Sequence, residues 1–170
     1  GVQCYTEAGD EVIIQPPVYH PFIHVVEKNE RKLVYNPLKT VNGRFEMDLE
    51  DLARKITDRT KLLILCNPHN PGGRVWDRAT LESLADICVR HNIIVISDEI
   101  HSDMALGDNK HIPFASLSDA VADITVTYMA PSKTFNMPGL ITSYYVISNA
   151  SLRRQLSTFM SKNDVGAGNI

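Results

Sequence analysis

Three residues in this 170-residue chain carry groups whose chemistry is complementary: Lys133, Asp98 and Asn70. Lys133 lies in MAPSKTFNMPGL, just after a β-like run and inside a turn-rich segment. Asp98 lies in SDEIH (Ser97–His101), at the end of an apolar run. Asn70 lies in CNPHNPGGRVW (Cys66–Trp76), which follows another. An amine can form a Schiff base, a carboxylate can hold a pyridinium proton, and an asparagine can hydrogen-bond a phenolic oxygen. Those are the needs of pyridoxal 5′-phosphate (PLP).

The elements that must position these groups are legible as alternating strands and helices. Glu11–Gln15, Lys32–Tyr35, Lys61–Cys66, Ile93–Ile96, Asp123–Tyr128 and Ser143–Ile147 read as strands. Lys61–Cys66 is nearly all apolar, as expected of a strand covered on both faces. Tyr19–Lys28 reads as a helix. Leu49, Leu52, Ala53 and Ile56 make a helix face capped by Asp48. Leu81, Leu84, Ala85 and Cys88 make another, capped by Asp77. Leu152, Leu156, Phe159 and Met160 mark a last helix. The pattern predicts an α/β fold, a mostly parallel sheet with helices on both faces in three layers. Ligands bind such sheets beyond the carboxyl ends of the strands. Asn70, Asp98 and Lys133 each follow a strand end, so all three are expected on one edge.

Composition excludes several partners. Net charge is −3, which gives no support for nucleic acid or an anionic membrane surface. No stretch is long and apolar enough to span a bilayer as a helix. Cys4, Cys66 and Cys88 are odd in number and lie in apolar contexts. They read as buried free thiols in a reducing, cytoplasmic compartment. His20, His24, His69, His91 and His111 lack metal spacing and read as structural or surface residues. Gly1–Glu7 reads as the tail of a helix, and the final residues, DVGAGNI, as a Gly-rich turn. A piece of a longer chain is therefore expected.

NPHNPGG, SDEIH and SKTFNMPGL resemble the fold-type I PLP enzymes of the class I/II aminotransferase superfamily. The more specific similarity is to the MalY/PatB-type C–S lyases, whose wording is NPHNP-x-GRVW, DEIH-x-D and SKTFN-x-x-GL. GDEVIIQPPVYHPF (Gly9–Phe22) is also typical, so the resemblance runs from about Gly9 to the end of the chain. Many aminotransferases carry a tyrosine where this chain has His101. The resemblance implies that residues 1–170 are part of the large PLP-binding domain, without an N-terminal segment and a C-terminal small domain. It makes Lys133 the catalytic residue, linked to the cofactor and then freed as a base. It makes Asp98 the partner of the ring nitrogen and Asn70 the donor to O3′. Tyr19 would stack on the ring, His101 would contact O3′ or shape the substrate side, and Ser132 would bind the phosphate. Ala130 departs from the usual serine or threonine three residues before the lysine.

The function implied is α,β-elimination at a sulfur-bearing amino acid such as cystathionine, giving a thiol, pyruvate and ammonia. Transamination uses the same residues and diverges only after the Cα proton is lost. A regulator that binds a protein partner is a third reading, against which the retention of Asn70, Asp98 and Lys133 argues. The resemblance further implies a homodimer acting on a small amino acid. It also implies that these 170 residues alone hold PLP weakly and are inactive.

Overall fold

The computed structural model describes residues 1–140 and 142–165; the end of DVGAGNI lies outside them. The strands are β1 (Glu11–Ile14), β2 (Lys32–Tyr35), β3 (Lys39–Val41), β4 (Arg44–Glu46), β5 (Thr60–Cys66), β6 (Ile94–Asp98), β7 (Thr125–Met129) and β8 (Tyr144–Val146). The helices are α1 (Val2–Tyr5), α2 (Pro21–Glu27), α3 (Leu49–Lys55), α4 (Arg78–Arg90), α5 (Asp119–Ile124), α6 (Pro131–Thr134) and α7 (Ala150–Lys162). Six strands form one sheet in the order β2-β1-β5-β6-β7-β8. Every neighbouring pair is parallel except β7–β8. The expected three-layer, mostly parallel architecture is what forms.

Strand alternation divides the core in two. Ile13, Leu63, Leu65 and Val95 face one side, where they meet Leu52 of α3, Leu81 and Leu84 of α4, and Val121 of α5. Val12, Ile14, Leu62, Ile64 and Ile96 face the other, against Tyr5 of α1, Val26 of α2 and Leu156 of α7. Each central strand therefore buries both faces, which explains why β5 is apolar at nearly every position.

The caps follow local chemistry. Asp48 accepts from the Asp51 N–H at 3.1 Å and Asp77 from the Thr80 N–H at 2.9 Å, each satisfying a helix-terminal donor. Ala53 is exposed, so α3 buries a narrower face than its spacing suggested. One expectation needs correction. Asp123 and Ile124 close helix α5 and do not begin a strand; β7 starts at Thr125. Ser118 caps that helix, accepting from Val121 N–H at 3.3 Å. The hairpin β3–β4 was unforeseen, although Asn42 and Gly43 at its turn have φ of 49° and 74°. That pair of left-handed residues is what a type I′ turn requires.

Candidate functional site

The site is built at the carboxyl ends of β5, β6 and β7. Beyond β5 the chain makes a tight turn held by its own backbone. The His69 N–H donates to Arg74 O and the Gly73 N–H to His69 O, both at 2.8 Å. Trp76 is buried beneath, its Nε1–H donating to Cys66 O at 3.0 Å. The Cys66 thiol is buried; its Sγ accepts the Asn70 N–H at 3.2 Å and donates to Pro68 O at 3.4 Å. Burial pushes this thiol up to about 12, so it acts as a hydrogen-bonding wedge and not as a thiolate. Gly72 is required because a Cβ there would meet Phe45 at 2.7 Å and His69 Nδ1 at 2.8 Å. Asn67 serves the turn. Its Oδ1 accepts Trp76 N–H at 3.4 Å and its Nδ2 donates to Ile112 O at 3.1 Å. Asn70 is left half-buried at the rim.

At the end of β6, Asp98 is half-buried and accepts the Ile100 N–H at 3.3 Å. Burial pushes its carboxyl above the ordinary carboxylate range. The Ile100 N–H opposes that rise, neighbouring Glu99 adds to it, and the Lys133 ammonium opposes it. A desolvated carboxylate at a strand end is suited to a cationic ring nitrogen, whose charge would favour its ionised form. His101 follows, half-buried and held below its usual basicity, first by burial and then by Lys133. Lys133 is thus electrostatically coupled to both residues, although 35 and 32 positions separate it from them in sequence.

Beyond β7, the four-residue helix α6 carries Ser132, half-buried, and Lys133, exposed. Thr134 Oγ1 donates to Asp103 Oδ2 at 2.7 Å, clipping α6 to the turn that follows His101. Tyr19 lies past the end of β1. It is 44% exposed, with its ring perpendicular to that of Phe22. A cavity of about 600 Å³ opens beside Asn70 and His101, walled also by Phe45, His69, Met104 and Leu106. Asp98, Lys133 and Ser132 lie outside its walls.

Sequence reasoning missed Glu99 and its pairing with His111, which reads from the sequence as a structural or surface residue. Glu99 is 1% exposed and its Oε2 lies 2.7 Å from His111 Nε2. A glutamate beside Asp98 at a strand end was a visible signal. Its partner, twelve residues on in an irregular loop, was not.

A family model described as aminotransferase class I and II matches residues 2–163. Cystathionine beta-lyase PatB of Bacillus subtilis is 51% identical over 169 residues, 99% of this chain and 44% of PatB. Protein MalY of Escherichia coli is 35% identical over 153 residues, 89% of this chain and 38% of MalY. The crystal structure of cystalysin from Treponema denticola, which contains a pyridoxal 5′-phosphate cofactor, superposes with a TM-score of 0.92 at 36% identity. That match covers 99% of this chain and 42% of cystalysin. The chain spans less than half the length of each of these relatives.

Proposed function

Because the chain belongs to the class I and II aminotransferase family, we propose that it forms the cofactor-binding core of a PLP-dependent C–S lyase. The protein eliminates a thiol from an amino acid bearing sulfur at Cβ, releasing pyruvate and ammonia. What supports this reading is that Asn70, Asp98 and Lys133 each lie at or just past the carboxyl end of one of three adjacent parallel strands. The lyase assignment draws on the 51% identity to PatB and on the motif wording shared with that subfamily.

When bound, PLP supplies a sink for negative charge developing at the substrate Cα. This chain's residues hold and direct the rest. Lys133 would anchor the cofactor through its Nζ and, as a free amine, would take the Cα proton. Asp98 would accept a hydrogen bond from the ring nitrogen and so favour its protonated form. Asn70 would donate its amide to the phenolic oxygen, with His101 beside it. Tyr19 would stack on the ring and Ser132 would donate to the phosphate. As Lys133 removes the Cα proton, the Cβ–S bonding pair leaves with sulfur and the thiolate takes up a proton; the unsaturated amine left behind tautomerises to an imine, which water hydrolyses to pyruvate and ammonia. Residues 1–170 serve as part of the large domain of a homodimer.

The test is product analysis of the full-length protein with cystathionine. Pyruvate and a thiol released without any keto-acid acceptor support the lyase. A keto acid formed only when an amino acceptor is present overturns it in favour of transamination, which this site's residues would equally serve.

A further inference from the structure

Glu99 is the most completely enclosed charged side chain at this sheet edge, and the proposed chemistry gives it no role. Strand alternation sends it away from Asp98. Its Oε1 accepts Ser97 Oγ–H at 2.7 Å and Phe114 N–H at 3.0 Å, and its Oε2 lies 2.7 Å from His111 Nε2. Its backbone is equally engaged. The Glu99 N–H donates to Tyr128 O at 3.0 Å, and its carbonyl accepts the Ser102 N–H at 2.9 Å. The adjoining Asp98 carbonyl accepts the Asn67 N–H at 3.0 Å, and Asn67 Nδ2 returns to Ile112 O, next to His111. The Glu99 carboxylate therefore ties the end of β6 to the loop carrying His111 and Phe114, while the main chain of Asp98 and Glu99 joins that strand end to the turn carrying Asn70, to the turn after His101 and to β7. A carboxylate buried this deeply is expensive unless all of its acceptor sites are met.

We infer that Glu99, held by His111 and Ser97, is a positioning residue that aims Asp98 at the cofactor's ring nitrogen. This rests on the proposed role of Asp98. Removing His111 frees one oxygen of Glu99 and lets the strand end rotate, so the Asp98 contact with the ring nitrogen lengthens. A Glu99 carboxylate without its His111 hydrogen bond would act on the ring in the opposite sense. It lies on the far side of the strand, and interaction energy falls with distance, so loss of the direct contact dominates.

The experiment uses the full-length apoprotein reconstituted with PLP carrying ¹⁵N at the ring nitrogen, whose chemical shift reports ring protonation. In the wild type the signal is expected at the protonated position. In His111→Leu it should move toward the unprotonated position. In His111→Gln, whose amide can still donate to Glu99, it should return. A wild-type shift in a His111→Leu protein that keeps its near-UV circular dichroism overturns the inference. So does failure of His111→Gln to restore the shift. If His111→Leu does not fold, Ser97→Ala replaces it, since it deletes one donor with little change in volume. A smaller shift in the same direction supports the inference, and no shift overturns it. An unprotonated ring in the wild type would instead remove the role assigned to Asp98, and this inference with it.

Discussion

Lys133 owes its proposed role to location. It sits exposed on a single helical turn, directly beyond β7 and within electrostatic reach of Asp98 and His101. Lys133→Ala in the full-length protein is expected to abolish covalent trapping of PLP by borohydride, read by mass spectrometry of the reduced protein. Attachment at a different lysine would refute the assignment. Asp98→Asn replaces an acceptor-only group by an amide that cannot stabilise a protonated ring nitrogen. Turnover should fall by at least about 100-fold with cofactor still bound; near-normal turnover would remove Asp98 from the mechanism. These residues were legible in the sequence because each sits in a compact motif whose own neighbours announce it. Glu99 and His111 were not, because their partnership exists only once the loop to Phe114 folds back across β6. The cavity wall from Phe45 was hidden for the same reason, being carried by a hairpin 25 residues before Asn70.

The helices and strands show which local signals compete well. Helix α4 was readable throughout, since Leu81, Leu84, Ala85 and Cys88 are all buried on one face and Asp77 caps its start. Asp77→Ala should cost about 1 kcal/mol, the usual value of such a cap, with little effect on PLP binding. Chemical denaturation of the full-length protein measures this; a change well below about 0.5 kcal/mol would mean that the cap is redundant. Helix α5 was misread because it lasts six residues and runs directly into β-branched strand residues, so no polar break marks Ile124 from Thr125. The Asn42-Gly43 turn was an available signal that went unused. Its flanking strands are three residues each, too short to show alternation.

Across the molecule, the two edges of the sheet have different tasks. The carboxyl edge holds the site, and the amino edge holds a structural clamp. There Glu11 is buried and accepts from Lys32 Nζ at 2.8 Å, Thr57 Oγ1 at 2.6 Å and Thr60 Oγ1 at 3.0 Å. These contacts, led by Lys32 and Thr57, lower its carboxyl to about 2. A depressed carboxylate stabilises the fold fully above its unfolded value, near pH 4.5. That stabilisation is lost as the pH falls through this value toward 2. At one pKa unit per 1.36 kcal/mol, the contribution is no more than about 3 kcal/mol. Glu11→Gln should therefore lower the thermal midpoint at pH 7 and narrow the gap to wild type near pH 3. An undiminished gap at pH 3 would show that the clamp acts through packing alone.

The doubly covered strand β5 has a consequence for how this protein behaves when it is not folded. Leu62–Cys66 is an uninterrupted uncharged run, LLILC, and its native partners come from segments some 30 to 50 residues away on either side. Pairings this distant form late, so a refolding chain passes through a period in which the run is unprotected. A short apolar segment with high strand propensity and no proline can then pair with the same segment of another molecule. Refolding yield of the full-length protein should therefore fall as protein concentration rises, with light scattering increasing in step. Leu63→Lys would suppress the scattering while preventing recovery of the native state, because the feature that makes β5 sticky outside the fold is the one that makes it central within it.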